Sequence, residues 1–191
     1  MSTLEGWERV AMAINEVRER LLRCSAALEA AGVPYAIAGG NAVAEWVGRV
    51  DKAAVRFTQD VDIVLRRVEL PQAVTALTHA GFVYHESFGV TLFLDGPSAG
   101  PRDAVHLVFA GEKVKPQDEF SVPELSDVEL GGVFRVVSLQ SLVVMKLTAF
   151  RRKDQVHLLD MLSVGLVDES WLGRVPPSLA LRLRELLNNP E

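Results

Sequence analysis

Residues 39–65 read GGNAVAEWVGRVDKAAVRFTQDVDIVL, and this stretch decides the fold. The glycine pair Gly39-Gly40 closes a short apolar run, and the pair Asp60 and Asp62 opens a second apolar run that ends at Leu65. Because strand side chains alternate between two faces, the second run predicts a strand with both aspartates on one face. The stretch therefore predicts a strand, a glycine bend, a helix and a second strand.

The aspartate pair predicts a cation site. Two carboxylates about 7 Å apart on one face of a strand repel each other, and burial removes their solvation. A divalent cation between Asp60 and Asp62 relieves both costs, and carboxylate oxygens are ligands that Mg²⁺ selects. The alternative is an edge strand whose two aspartates point to water, and the short motif alone does not exclude it.

The glycine pair predicts an anion site. Without a Cβ, Gly39 and Gly40 let backbone N–H groups approach an anion, and the start of the following helix adds positive charge. Asn41 is a candidate cap for a helix over 42–47. The alternative is a plain tight turn. In the connection 48–59, Arg56 and Thr58 either hold phosphate oxygens or lie as solvated loop residues.

Composition restricts the class of protein. The chain has 191 residues, of which 49% are hydrophobic and 24% charged, as in an ordinary globular protein. A net charge of -5 argues against broad capture of nucleic acid, and the single cysteine excludes a disulfide framework. No apolar run approaches the roughly 20 residues that span a bilayer, and the charged start is unlike a signal peptide. We therefore expect a soluble, cytoplasmic protein with no membrane partner.

Hydrophobic periodicity divides the chain into three segments. We expect an N-terminal helix within 1–32, an α/β core over 33–137 and a helical segment over 138–191. The first helix, over 4–31, would expose Arg18, Arg20 and Arg23. Further strands are predicted over 33–38, 82–86, 90–95, 104–110 and 134–137, with a polar loop over 111–132. Further helices are predicted to start at Pro71, Ser138, Asp154 and Leu179.

The order of these motifs resembles the nucleotidyltransferase superfamily typified by DNA polymerase beta. That family has a strand, a Gly-Gly or Gly-Ser bend, a helix, an acidic pair on a strand and a third acid on a later strand. A narrower resemblance, to the bacterial AbiEii toxin group, rests on the segment from Lys146 to Ala149, the basic run 151–153, and His157 with Asp160. The resemblance implies an α+β fold with a mixed sheet flanked by helices.

The resemblance also implies roles for individual residues. Asp60 and Asp62 are similar to the metal-binding pair, which takes Mg²⁺ or Mn²⁺. Gly39 and Gly40 are similar to the bend that receives the triphosphate of an NTP. Lys146 is similar to a basic residue turned toward the phosphates. The segment 48–59 is longer than in the minimal family pattern, which predicts an enlarged loop.

One position departs from the family pattern. The third acid is expected on the strand AVHLVFA, where His106 stands. Asp103 would face the other side of a regular strand, and Asp95 at the end of a neighbouring strand is a second candidate substitute. Neutral imidazole can act as a base but is a poor partner for Mg²⁺. The alternative is a packed, hydrogen-bonded histidine without a catalytic role.

Two functions follow from the resemblance. The first is metal-dependent transfer of a nucleoside monophosphate to a hydroxyl acceptor on RNA, protein or a small molecule, with Asp60, Asp62 and His106 catalytic. The second is a degenerate nucleotide-binding or regulatory module that acts through a partner such as a cognate antitoxin. An acidic cleft would favour an aminoglycoside-like acceptor, and a basic cleft would favour an RNA end.

A separate metal site is conceivable on the last predicted helices. Asp154, His157 and Asp160 are spaced i, i+3 and i+6, which covers about a third of a helix circumference. Two carboxylates and an imidazole can bind Zn²⁺ or Mn²⁺. The alternative is a capping aspartate with polar neighbours that pair with Arg151, Arg152 and Lys153.

Overall fold

The computed structural model describes residues 3–126 and 128–189, so the outermost residues of the two predicted terminal segments lie outside it. Within these residues it has an α+β fold, as predicted. The strands are β1 (Tyr35–Ala38), β2 (Val61–Leu65), β3 (Val83–Ser87), β4 (Val90–Leu94), β5 (Ala104–Phe109), β6 (Val128–Gly131) and β7 (Phe134–Val137). The helices are α1 (Thr3–Ala30), α2 (Gly39–Val50), α3 (Leu70–His79), α4 (Leu139–Ala149), α5 (Arg152–Ser163) and α6 (Pro177–Asn188).

Strand β2 occupies the middle of one mixed sheet with the order β3-β4-β5-β2-β1-β7-β6. It pairs antiparallel with β1 and parallel with β5, and β1 pairs parallel with β7. The remaining neighbours are antiparallel. Residues 39–65 therefore supply α2 and the central strand β2, which pairs with the strand directly before them, β1.

The two faces of the sheet bury separate hydrophobic clusters. Val61, Ile63 and Leu65 alternate toward the cluster that α1 and α3 cover. Val64 faces the other cluster, which α2, α4, α5 and α6 cover. The indole N–H of Trp46 in α2 donates to the carbonyl of Val137 at 3.1 Å, which fixes α2 against β7. The alternation predicted for β2 is thus confirmed.

Several predicted boundaries were wrong. Helix α2 begins at Gly39 rather than at residue 42, so Asn41 lies in its first turn and does not cap it. Helix α5 begins at Arg152, before the predicted cap Asp154. The predicted loop over 111–132 contains β6, an edge strand. A short 3-10 segment, Lys52–Ala54, interrupts the connection 48–59.

The prediction that Arg18, Arg20 and Arg23 all lie on the exposed face of α1 was wrong for Arg20. Its side chain is buried and donates from Nε to Asp95 at 2.9 Å and from Nη2 to Asp103 at 3.2 Å. The exposed Arg23 also pairs with Asp95. The ion pairs keep the buried guanidinium satisfied, which makes its burial tolerable.

None of the helices described by the model combines the length and apolar composition that crossing a membrane requires.

Candidate functional site

Strand register assembles the site at one end of the sheet. Ala38, the last residue of β1, pairs with Asp62 of β2, and Asp62 pairs with His106 of β5. Partners on adjacent strands project to the same face, so His106 stands directly beside Asp62. The chain after Ala38 turns straight into α2, which places Gly39 over the aspartate.

The glycine bend packs directly on the aspartate strand. Gly39 has φ +64°, and a Cβ at this position would overlap Oδ2 of Asp62. A Cβ on Gly40 would lie 2.7 Å from Cβ of Thr58, within van der Waals overlap. Both glycines are therefore needed for close approach, and Gly39 also for its backbone conformation.

The start of α2 is held against the residue before β2. No side chain caps the helix at Ala38, which leaves its first N–H groups available to an anion. The amide of Asn41 donates to the backbone carbonyl of Asp60 at 2.7 Å. Asp60 itself lies just outside β2, and the Asn41 bond fixes its backbone.

A cavity of about 620 Å³ opens at this junction, a volume in the usual range of small-ligand sites. The structure brings all but one of the predicted site residues to its wall: Gly39, Gly40, Thr58, Asp60, Asp62, His106 and Lys146. Arg56 is not among the lining residues. Its guanidinium instead pairs with Asp160 of α5, Nε to Oδ1, at 2.7 Å.

Lys146 is anchored rather than free. Its Nζ donates to Oδ1 of the buried Asp154 at 3.1 Å, and Nε of Arg151 donates to Oδ2 of the same carboxylate at 2.7 Å. Burial lowers the pKa of Lys146, and Asp154 opposes that shift. Burial alone would raise the pKa of Asp154, but the Arg151 hydrogen bond and the Lys146 charge bring it below its usual value. The three groups form a compensated buried network.

The two metal-site candidates have different environments. Burial raises the pKa of Asp62, the charges of Lys146 and His106 lower it, and the neighbouring Asp60 raises it again. Asp60 is more exposed and receives Nζ of Lys153 at 3.4 Å. The ammonium group of Lys153 thus lies near both carboxylates and offsets part of their negative charge.

His106 is half-buried and bonded to the loop before its strand. Its Nε2 lies 3.3 Å from the carbonyl oxygen of Pro101. Because a carbonyl can only accept, Nε2 is the ring nitrogen that donates in this contact. Asp95 and Asp103 are engaged by Arg20 of α1, and neither is among the lining residues. The structure therefore does not bring either carboxylate to the position considered for the third acid.

The alternative to a metal site at Asp154, His157 and Asp160 fits the structure better than the metal site does. Among the residues the structure describes, no group of three His, Cys, Asp or Glu side chains is arranged to hold a metal ion. Asp154 is committed to Lys146 and Arg151, and Asp160 is committed to Arg56. The alternative, a structural aspartate that pairs with its basic neighbours, is what the structure has.

Asp60 and Asp62 nevertheless fit a nucleotide-bound Mg²⁺. This ion takes oxygen ligands and is usually bound through one or two carboxylates together with substrate phosphates and water. Both carboxylates line one cavity, and their mutual repulsion contributes to the raised pKa of Asp62. A cation would relieve that repulsion, and the α2 N-terminus beside it suits the phosphates.

Among the wall residues that sequence reasoning did not assign to the nucleotide site are Phe57, Lys153 and His157. Burial lowers the pKa of His157 to about 4, and the Lys146 charge adds to that shift. The spacing of Lys153, His157 and Asp160 is i, i+4 and i+7, which puts them on one face of a helix. That spacing was a signal for one shared surface, although it did not identify the surface as a cavity wall.

The cavity is more basic than the rest of the chain. Its wall carries five carboxylates and six Lys or Arg residues, a formal balance of +1, whereas the whole chain has -5. The basic residues are Arg67, Lys113, Lys115, Lys146, Arg151 and Lys153. This concentration of positive charge favours an anionic ligand.

No protein-family model matches the sequence, and no curated protein matches it. Solved structures do. The antibiotic-resistance factor ANT(2'')-Ia in solution superposes with a TM-score of 0.54 at 12% identity, over 93% of this chain and 92% of its own. Its crystal structure with adenylyl-2''-tobramycin gives 0.52 at 16% identity, over 85% and 94%. An antigenic nucleotidyltransferase-like protein from Paracoccidioides brasiliensis gives 0.52 at 15%, over 92% and 89%.

The chain therefore has the nucleotidyltransferase fold. At 12 to 16% identity these likenesses establish the fold alone. They do not distinguish the AbiEii group within it, so that narrower resemblance stays a prediction. What the site does must be argued from its own residues.

Proposed function

We propose that this protein is a nucleotidyltransferase, which transfers a nucleoside monophosphate from an NTP to a hydroxyl acceptor. The observation that carries the proposal is the packing of the Gly39 bend directly on Asp62, inside a cavity large enough for a nucleotide. An anion-binding helix start and a pair of cation-binding carboxylates are thereby within one ligand's length of each other.

The carboxylates would hold the metal. Asp60 and Asp62 would bind Mg²⁺ or Mn²⁺ through their oxygens. When bound, such an ion would neutralise charge on the triphosphate and the leaving pyrophosphate. Lys153, which pairs with Asp60, would keep that pair and add positive charge beside the triphosphate.

The glycine bend and the buried network would position the phosphates. Backbone N–H groups at the start of α2 would donate to a phosphate, and Gly39 and Gly40 would leave room for its oxygens. Thr58, packed on Gly40, would supply a hydroxyl donor. Lys146 would add positive charge behind Asp62 while staying bonded to Asp154. Arg56 would contribute indirectly, by fixing the adjoining segment to α5.

His106 would take the proton. The acceptor oxygen would form a bond to the α-phosphorus as the bond to the bridging oxygen breaks and pyrophosphate leaves. The hydroxyl proton would pass to Nδ1 of His106, the ring nitrogen that is not engaged with Pro101. His106 would replace the family's third acid as base, but not as a ligand for Mg²⁺.

The cavity charge favours an anionic acceptor such as an RNA end. Lys113 and Lys115, both exposed, add to the basic wall from the loop after β5. The bound ligand in one structural neighbour, adenylyl-2''-tobramycin, derives from a small-molecule acceptor. Lys113 and Lys115 would offer a polycationic acceptor of that kind no favourable contact.

The test is transfer of label from an α-labelled NTP with Mg²⁺ or Mn²⁺, offered an RNA oligonucleotide, the protein itself and tobramycin in parallel. We expect labelling of the RNA and at least a 100-fold lower rate in Asp62→Asn, because the substitution removes a charged ligand of the transition state. Asp118→Asn, a second carboxylate of the wall, is the matched control and should keep most activity. Absence of transfer to any acceptor, with absence of NTP binding, would refute the proposal.

A second candidate function rests on His106. An imidazole beside Asp62, where the fold family uses a carboxylate, favours a nucleotide-binding module that has lost transfer. Such a module would act through a protein partner, as an AbiEii-like toxin acts with its antitoxin, in the cytoplasm. Replacing His106 with Asp discriminates between the two. A gained or raised rate supports an impaired enzyme, and NTP binding with no transfer by either protein supports the module.

A further inference from the structure

The segment 56–60 is clamped along one face of α5. Oδ2 of Asp60 lies 3.4 Å from Nζ of Lys153, and Nε of Arg56 lies 2.7 Å from Oδ1 of Asp160. Lys153 and Asp160 are seven residues apart, two helical turns on the same face. The two ion pairs therefore hold both ends of the segment against α5. Residues of both elements line the cavity, and we call the part of the cavity that they share the slot.

Phe57 lies in this segment next to Arg56, and its ring is exposed. Its neighbour Thr58 packs on Gly40, and its other neighbour Arg56 is one of the two clamps. Yet the Phe57 side chain is 71% exposed while it lines the cavity. Because the Phe57 ring is exposed, a ligand that covers it would gain the free energy of burying its apolar surface.

Phe57 is close in the chain to the residues that would hold the phosphates. It is three residues from Asp60, a chain reach of at most about 10 Å. A ligand with phosphates at Gly39 and Asp60 would thus bring its sugar and base toward Phe57.

The α5 side of the slot suits an uncharged heterocycle. His157 lies one turn after Lys153 on α5 and also lines the cavity. Its pKa of about 4, set by burial, makes it a neutral imidazole near pH 7. A neutral imidazole can contact an uncharged nucleobase through its ring and hydrogen-bond to it through a ring nitrogen.

We infer that Phe57 is the stacking surface for the nucleobase of the bound NTP, in the slot between the segment 56–60 and α5. The inference rests on the proposed nucleotidyltransferase function and adds the place and chemistry of base binding. Stacking on an aromatic ring is tolerant of base identity, because every base has a π face. The site would therefore accept several NTPs, with phosphate contacts providing the common anchor.

Titration calorimetry with two ligands separates stacking from phosphate binding. An NTP and inorganic tripolyphosphate, each with Mg²⁺, are titrated into the wild type, Phe57→Ala and Phe57→Trp. We expect Phe57→Ala to weaken NTP binding about 10-fold and leave tripolyphosphate affinity unchanged. Phe57→Trp should keep the NTP affinity, and the added indole fluorescence should be quenched by the NTP but not by tripolyphosphate. Phe88→Ala, at the fully exposed tip between β3 and β4, is the matched aromatic control.

The outcomes of these titrations separate the inference about Phe57 from the proposed function. Unchanged NTP affinity in Phe57→Ala overturns the inference, and so does an equal loss for both ligands, which would mean a disturbed phosphate site. A wild type that binds neither ligand refutes the proposed function itself. A wild type that binds both ligands equally well would leave phosphate binding intact and refute base stacking alone.

Discussion

Gly39 combines two constraints that one pair of substitutions can separate. Its φ of +64° disfavours any side chain, and a Cβ there would overlap the Asp62 carboxylate. Gly32 has nearly the same φ, +66°, but its Cβ would meet nothing within 4 Å. We expect Gly32→Ala to lower the free energy of unfolding by about 1–2 kcal/mol, the cost of a left-handed residue.

Gly39→Ala should cost more than Gly32→Ala, by about 2 kcal/mol or more, since overpacking adds to the backbone cost. It should also abolish NTP binding because Asp62 must move. Urea denaturation and calorimetry measure both effects. Equal losses of stability in the two variants, with NTP binding retained, would show that the bend is an ordinary turn.

Individual residues were predictable where chain position defined them. Gly39, Gly40, Asp60 and Asp62 were predicted from strand ends and alternation, and His106 was predicted from the position that the family resemblance gives the third acid. Partners far apart in sequence were not predictable. Arg56 pairs with Asp160, 104 positions away, and Arg20 with Asp95, 75 positions away. Hydrophobic periodicity predicts which face of a helix or strand a side chain occupies, but it does not predict which residue of another element contacts that side chain.

At the scale of elements, the junction between α4 and α5 depends on one buried carboxylate. Asp154 is 1% exposed and accepts from Lys146 and from both the backbone and side chain of Arg151. Removing it leaves the buried Lys146 ammonium without its partner. We expect Asp154→Ala to lower the free energy of unfolding by about 3 kcal/mol.

The control for this prediction is an exposed pair. Arg67 and Glu112 form a two-bond contact at 2.6 Å, but both side chains are substantially exposed. Glu112→Ala should therefore cost under about 1 kcal/mol. Comparable losses for Asp154→Ala and Glu112→Ala in urea denaturation would contradict the role given to the buried network.

Helix α5 should also give the protein a pH-dependent stability. The pKa of His157 is lowered to about 4 from its usual 6.5, so the unfolded chain binds a proton that the folded chain refuses between these values. The contribution of His157 to the free energy of unfolding is then fully present above about pH 6.5, and it is lost as the pH falls toward 4. His157→Gln should remove this part of the slope, whereas the exposed His85→Gln should keep it. Thermal unfolding from pH 7.5 to 4.5 measures the difference, and parallel profiles for all three proteins would contradict it.

Most elements could be predicted from sequence because their periodicity is strong. Strands β2 and β5 alternate clearly, and α1 has helical apolar spacing over its length. Strand β6 was missed because Val128–Gly131 is a short edge strand that buries little apolar surface. The start of α2 was misplaced because glycine usually ends helices, whereas Gly39 begins this one.

At the scale of the whole molecule, Arg20 joins the N-terminal helix to the functional end of the sheet. It is 3% exposed, and besides Asp95 and Asp103 it donates to the carbonyl of Gln59 at 3.4 Å, next to Asp60. Arg20→Met should lower the free energy of unfolding by about 2 kcal/mol, less than a fully buried pair because Asp103 is half-exposed.

Arg18→Met, on the exposed face of the same helix, is the control and should change stability little. Urea denaturation compares the two variants. If Arg20→Met proves as stable as Arg18→Met, the N-terminal helix does not support the site through this contact.

The fold class was predictable from sequence, whereas the activity is only proposed. One fold serves many chemistries, and the structural neighbours share 12 to 16% identity with this chain. The sequence predicted which residues meet at the end of β2. It could not predict that Lys153 rests on Asp60 or that Asp154 holds Lys146, since both contacts depend on how α5 packs across the sheet.

The most direct test of the account is calorimetric titration of a non-hydrolysable NTP analogue into the wild type and into an Asp60→Asn, Asp62→Asn double variant, with and without Mg²⁺. We predict binding by the wild type that requires Mg²⁺ and is lost in the double variant. Equal binding by both proteins, or wild-type binding indifferent to Mg²⁺, would contradict the claim that these two aspartates grip a nucleotide-bound cation.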